Sequence, residues 1–219
     1  MHPRHLLVVL SLVLAAGCAS GSREPLNLTT HKGALIRYRD SGKYERQIAA
    51  VTQHAMRWIE TRAARRAAGE RLAVVLDIDE TALSNWENFR RDDFGYVSER
   101  WHAWLDRAEA PAIGPVRELY REARRAGVAV IFLTGRTERD RAATERNLRA
   151  QGYDDYQQLI VWPDGGTWEN SAAFKTEIRR KLVAEGWVII ANIGDQESDV
   201  TGGYAEKMFK LPNPFYLTE

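Results

Sequence analysis

The run Ala73-Val74-Val75-Leu76-Asp77-Ile78-Asp79-Glu80-Thr81 carries an apolar β-type segment directly into two carboxylates, one residue apart. Like charges held this close resist joint ionisation, so one calls for a cation while the other can take up a proton. The pair reads either as a metal-dependent acid/base or nucleophilic site or as two solvated aspartates at a strand end. Two further runs favour the first reading. Val128-Ala129-Val130-Ile131-Phe132-Leu133 ends in Thr134-Gly135-Arg136, and Trp187-Val188-Ile189-Ile190-Ala191-Asn192-Ile193 ends in Gly194-Asp195-Gln196-Glu197-Ser198-Asp199. Near-continuous hydrophobic strands predict a Rossmann-like α/β fold, a parallel sheet with helices on both faces. Ligands of such sheets bind beyond the carboxyl ends of the strands, so the three endings converge on one crevice.

A DxDxT after one strand, a Thr after a second, a helical Lys and a GDxxxD after a last strand resemble the four motifs of the haloacid dehalogenase superfamily. More narrowly, Asp77 to Asn85 (DIDETALSN) and Lys175 to Asp199 (KTEIRRKLVAEGWVIIANIGDQESD) are similar to its acid phosphatase branch. That branch holds plant acid phosphatases, vegetative storage proteins and bacterial lipoprotein class C acid phosphatases. The resemblance covers about residues 40 to 219 and implies a haloacid dehalogenase-like core with a small inserted cap. It also implies an Mg²⁺-dependent phosphomonoesterase, with nucleoside monophosphates among its substrates and an acidic pH optimum.

Each implied role suits its residue. Asp77 is the expected nucleophile, since an aspartyl-phosphate splits one hard hydrolysis into two easier steps. Asp79 is the expected general acid and base. A carboxylate approaches a phosphate dianion only if charge is neutralised, which calls for a hard cation with oxygen ligands. The side chains of Asp77 and Asp195 and the Asp79 backbone carbonyl match the family's metal ligands, and Asp199 matches a position that supports the metal through water or a neighbouring ligand. Thr134 and Lys175 match the residues that hold the transferring phosphoryl group. Arg136 either contacts substrate phosphate or pairs with a surface Asp or Glu. The sequence departs from the branch at Phe89, where a Tyr is expected, and at Gly135.

Leu6 to Ala16 is an apolar run too short to span a bilayer, preceded by Arg4 and two histidines, and it reads as a secretory signal over residues 1–17. Leu14-Ala15-Ala16-Gly17-Cys18 resembles a bacterial lipoprotein processing site, with Cys18 lipidated. Cys18 is the single cysteine, so no disulfide can form within the fold. Several acyl chains on one residue would hold the protein stably at a membrane. The expected location is the outer membrane, facing the periplasm or the exterior, the alternative being a soluble periplasmic or secreted protein. Residues 18–40 are polar and read as a flexible tether, and 41–219 as the phosphatase domain.

Across 219 residues, 31 Lys plus Arg balance 30 Asp plus Glu. No overall basic field is present to attract a nucleic-acid polymer, so small phosphomonoesters are the expected partners. Periodicity predicts helices over about 43–68, 115–126, 138–150 and 171–185, with another short strand at 158–162. The insertion at about 84–113 carries Trp86, Phe89, Phe94, Tyr96, Trp101 and Trp104. These rings either form the cap's own core or stack on an aromatic leaving group, and Trp162 and Trp168 are further stacking candidates. His31, His54 and His102 lie outside any RHG arrangement, and no P-loop, GxSxG or HExxH is present. Two other functions remain open: transfer of the phosphoryl group to an acceptor alcohol, and a non-enzymatic surface-binding or storage-type lipoprotein.

Overall fold

The computed structural model describes residues 24–218. The expected signal segment and Cys18 lie outside the described residues. In chain order the elements are α1 (Leu28–Asp40), α2 (Lys43–Ala64), β1 (Arg71–Leu76), α3 (Trp86–Arg91), α4 (Ser98–Arg107), α5 (Gly114–Arg125), β2 (Ala129–Thr137), α6 (Arg141–Ala150), β3 (Gln158–Trp162), α7 (Ser171–Ala184), β4 (Trp187–Gly194), α8 (Glu197–Val200) and β5 (Met208–Lys210). The five strands form one parallel sheet in the order β3-β2-β1-β4-β5. The chain moves outward from β1 on one side through β2 and β3, then crosses to the other side with β4. This reversal opens a crevice above the carboxyl ends of β1, β2 and β4.

The alternation within β1 explains the two-faced burial. Val74 and Leu76 belong to a core shared with Ile48, Ala55 and Ile59 of α2 and with Val116, Leu119 and Ala123 of α5. Ala73 and Val75 face the opposite side, among Phe174 and Leu182 of α7. Successive strand residues point to opposite faces, so a strand covered on both must be apolar throughout. Between Ala73 and Val74 the ladder with β4 skips Ile190. The carbonyl of Ile190 is instead satisfied by Trp58 Nε1 at 2.6 Å, which ties α2 to the sheet where the bulge would leave a buried acceptor unpaired.

Several elements differ from expectation, α3, α4 and α8 being helices that periodicity did not predict. Residues 28–40, read as tether, form α1, capped by Asn27, whose side chain accepts from Thr29 N. None of its residues is fully buried, and only Leu35 and Tyr38 pack against the core, so its polar composition conceals it. A Lys32–Asp93 ion pair of 2.5 Å links it to the insertion. The second strand runs on past Leu133 to Thr137, which pairs with Trp162 after a register shift. Strand β5 spans three residues, too few for periodicity to register. Among the described residues no helix is long and apolar enough to cross a membrane.

Candidate active site

The strand β1 ladder extends one residue further, because Asp77 N donates to Ile193 O at 3.0 Å. The chain then folds back on itself: Leu83 N donates to Ile78 O and Glu80 N to Leu83 O, both at 2.8 Å, and Glu80 takes a positive φ of 54°. That loop buries Asp77 and leaves Asp79 partly exposed toward the crevice. Glu80 turns away from it, accepting from Asn85 N at 2.6 Å and Asn85 Nδ2 at 3.0 Å. Burial pushes the Glu80 carboxyl up to about 8, against the pull of its Asn85 hydrogen bonds.

The end of β4 supplies the opposite wall. Asp77, Asp195 and Asp199 each bring a carboxylate oxygen to within 4.8 Å of the others. Lys175, from α7, lies 2.6 Å from Asp77 Oδ1 and also hydrogen-bonds Asp199 Oδ1. Burial raises the Asp77 carboxyl well above its ordinary range, with Lys175 opposing. Burial and the neighbouring Asp199 bring Asp195 up to about 7. Burial works against the Lys175 ammonium too, but Asp199 and Asp77 outweigh it and raise its pKa. With all three carboxylates ionised, the one ammonium leaves two negative charges uncompensated, which fits a divalent cation. An all-oxygen donor set fits a hard one, such as Mg²⁺.

Asp195 is held by Thr81 Oγ1 at 3.0 Å on one oxygen, and by Gln196 Nε2 and Asn213 Nδ2 at 2.7 Å on the other. Asn213 belongs to the carboxyl-terminal segment, whose motif-free sequence offered no signal of this role. Asp199 Oδ2 accepts from Gln196 N at 2.7 Å, and Asn192 Nδ2 donates to the Asp199 carbonyl at 2.7 Å. Gly194 makes this packing feasible, since a Cβ there would sit 2.2 Å from the Asp199 Cβ and 2.3 Å from its Oδ2. Gly194→Ala is therefore expected to displace Asp199 and to destabilise the protein by about 1–3 kcal/mol, as overpacked sites do. A thermal midpoint equal to wild type would contradict this close approach.

Thr134 is fully buried in β2, and its hydroxyl accepts from Arg136 N at 3.1 Å, leaving its O–H to donate. Arg136 is not a surface residue. Its guanidinium is buried and pairs with Asp79, through Nη2 to Oδ1 at 2.7 Å and Nε to Oδ1 and Oδ2 at 3.2 and 3.1 Å. The alternative of a surface ion pair is thus replaced by a buried one within the crevice. Burial opposes the Arg136 charge, but Asp79 overcomes it and raises its pKa.

The insertion's aromatics either pack, as Trp86 does against Phe94 and Phe215, or line a cavity. Trp104 is buried and donates through Nε1 to Asn85 Oδ1 at 2.7 Å. Phe89, Phe94, Tyr96 and Trp101, with Phe215 and Tyr216 from the carboxyl-terminal segment, line a cavity of about 380 Å³ that opens on Asp79. Trp162 and Trp168 do not line it. They pack on Phe174 at centroid distances of 4.8 Å, filling the core on the α7 side of the sheet. His102 is turned toward Asp140, with Nδ1 3.0 Å from Oδ1.

A central strand ending in two aspartates, with a buried lysine and two more acids gathered at the same sheet edge, defines a haloacid dehalogenase-like α/β protein. Residues 27–219 match the HAD superfamily, subfamily IIIB (acid phosphatase), and the chain belongs to that family. It is 36% identical over 146 residues to "Acid phosphatase 1" of Solanum lycopersicum, covering 65% of this chain and 57% of that protein. It is 36% identical over 151 residues to the "Stem 28 kDa glycoprotein" of Glycine max, covering 66% and 59%. The chain therefore spans less than two thirds of the length of these relatives. The class C acid phosphatase from Bacillus anthracis shares the fold, with a TM-score of 0.72 at 22% identity over 88% of this chain and 87% of that one. The same enzyme has been solved with tungstate bound, and its TM-score is 0.71.

Proposed function

We propose that the chain is an extracytoplasmic, Mg²⁺-dependent acid phosphatase that hydrolyses small phosphomonoesters through an aspartyl-phosphate on Asp77. The observation that carries this reading is the convergence of Asp77, Asp195 and Asp199 around Lys175, with Asp79 beside them at the mouth of an aromatic cavity. The Solanum lycopersicum relative named "Acid phosphatase 1" supports it, and the Bacillus anthracis enzyme of the same fold has been solved with tungstate, a tetrahedral oxyanion like phosphate.

In the first half-reaction an Asp77 oxygen forms a bond to phosphorus while the bond from phosphorus to the ester oxygen breaks. Asp79 gives its proton to that departing oxygen. In the second half, Asp79 takes a proton from water as the water oxygen bonds to phosphorus and the bond from phosphorus to the Asp77 oxygen breaks, releasing phosphate. Thr134 donates its O–H to a phosphoryl oxygen, and the Lys175 ammonium offsets charge on the transferring group. A divalent cation, when bound, would offset the charge between the anionic nucleophile and the phosphate. Asp77 and Asp195, with the Asp79 carbonyl, would hold it, and Asp199 would support it by fixing Lys175 and the β4 turn. Outside the described residues, Cys18 is the proposed lipid anchor, placing the protein at an outer membrane surface.

The leaving group occupies the aromatic cavity. No lysine or arginine is among the described residues that line it, so a second anionic group on the substrate would find no cationic side chain there. Aryl phosphates and nucleoside monophosphates fit, with stacking of a flat ring contributing about 1–3 kcal/mol. Phosphate release should be measured on aryl, nucleoside and sugar phosphates, with Mg²⁺ or EDTA. The expected result is turnover that EDTA removes and Mg²⁺ restores, with aryl and nucleoside esters favoured by about tenfold or more over sugar phosphates. No turnover by folded, Mg²⁺-loaded protein on any ester would overturn the reading and leave a storage or binding role. Phosphorylated acceptor forming faster than inorganic phosphate, in excess alcohol, would make the protein a transferase instead.

A further inference from the structure

Asp79 is more tightly constrained than a lone general acid requires. Its Oδ1 accepts from Arg136 Nη2 at 2.7 Å and from Asn85 Nδ2 at 2.8 Å, while its Oδ2 receives only the shared Arg136 Nε at 3.1 Å. The two donors come from different parts of the fold, Arg136 from β2 and Asn85 from the loop after β1. Each is itself fixed. Arg136 Nη1 donates to Thr144 Oγ1 of α6 at 3.1 Å, and its backbone N to Thr134. Asn85 is fully buried, with its Oδ1 taken by Trp104 Nε1 of α4 at 2.7 Å.

We propose that Arg136 and Asn85 are positioning residues that saturate Asp79 Oδ1 and so commit Oδ2 to handling the proton, and that Trp104 makes this orientation depend on the insertion. The proposal rests on the phosphatase reading above, with Asp79 as the acid. Two strong donors on Oδ1 fix the carboxyl plane and its rotation about χ2, a torsion that is otherwise broad. With Oδ1 occupied, the proton given to the leaving oxygen comes from Oδ2, and the proton of the attacking water returns to it. Arg136 thereby acts on the reaction through Asp79. Because Trp104 sits in the same insertion that lines the leaving-group cavity, the wall that receives the leaving group also aims the acid at it.

The test compares leaving groups of similar shape and different need for a proton. p-Nitrophenolate departs unprotonated, whereas the alkoxide of benzyl alcohol does not. kcat/KM for p-nitrophenyl phosphate and benzyl phosphate should be measured for wild type, Arg136→Lys, Trp104→Phe and Asp79→Asn, with Mg²⁺ and with thermal midpoints recorded. The ratio of the two constants reports the acid step alone. Since a positioned acid contributes about 10²–10⁴-fold, Arg136→Lys should depress benzyl phosphate hydrolysis at least about tenfold more than p-nitrophenyl phosphate hydrolysis. Trp104→Phe, which keeps a ring and removes the donor, should shift the ratio in the same direction by less. Combined with Asp79→Asn, Arg136→Lys should shift it no further.

Equal losses on both esters would show Arg136 to be structural and overturn the proposal. So would an undiminished ratio in Trp104→Phe, the deciding variant where Arg136→Lys fails to fold. Wild type inactive on both esters would overturn the phosphatase reading itself, an outcome distinct from either.

Discussion

Asp77→Asn is expected to lower phosphomonoester turnover by about 10⁴-fold or more, because removing a covalent nucleophile leaves only what binding and charge stabilisation supply. The substitution should also raise the thermal midpoint of the metal-free protein. Asp77 is buried beside Asp195 and Asp199, and burial is the main force raising its pKa, so its ionised form is costly to the fold. An amide of the same shape removes a buried carboxyl that must either ionise at a cost or take up a proton, while Lys175 keeps its bond to Asp199. A gain of about 1 kcal/mol corresponds to roughly 2–4 °C for a domain of this size. Activity lost with stability gained is the signature of a site held together against its own electrostatics. A variant that lost stability along with activity would mean that Asp77 is structural, and residual turnover above about 1% would remove it as nucleophile.

The parts of this site that could be read from sequence are those whose chemistry is local. Asp77 and Asp79 follow a hydrophobic strand, and Gly194, Asp195 and Asp199 follow another, so side-chain alternation and strand ends suffice to bring them to one edge. Lys175 is different in kind. Its helix carries no buried-lysine signal, and only the order of motifs singled it out before its ammonium was seen between two carboxylates.

What escaped the sequence is long-range pairing. Arg136 lies 57 residues from Asp79 and Asn213 lies 18 from Asp195, separations at which no periodicity links donor to acceptor. The aromatic segment showed the same ambiguity. Trp104 and Trp101 are three residues apart on one helix, yet the first is buried against Asn85 and the second lines the cavity. No periodicity in the insertion separates the two, and the contact that does, from Trp104 to Asn85, joins residues 19 apart. Helix α1 failed for the opposite reason. It buries too little apolar surface to write a stripe into its sequence, and contacts made by Leu35, Tyr38 and Lys32 with distant residues hold it in place.

Lys175→Met is expected to act on stability with the opposite sign from Asp77→Asn. The methionine fills much of the same volume but leaves Asp77 and Asp199 buried without their shared cation, a loss worth about 3–5 kcal/mol when one partner of a buried pair is removed. Activity should fall by about 10²–10³-fold, as for other donors aimed at a transferring anion. The two substitutions touch the same charge cluster, so their effects are not additive. In Asp77→Asn the excess negative charge is already reduced, and adding Lys175→Met then strands one carboxylate, Asp199, instead of two. That carboxylate retains the Gln196 N–H on its other oxygen. The double variant should therefore be more stable than Lys175→Met alone, by chemical denaturation of the metal-free protein, and Mg²⁺ should stabilise Lys175→Met more than wild type. Strict additivity would mean that Lys175 holds its helix by packing alone, and the charge balance inferred for this site would fail with it.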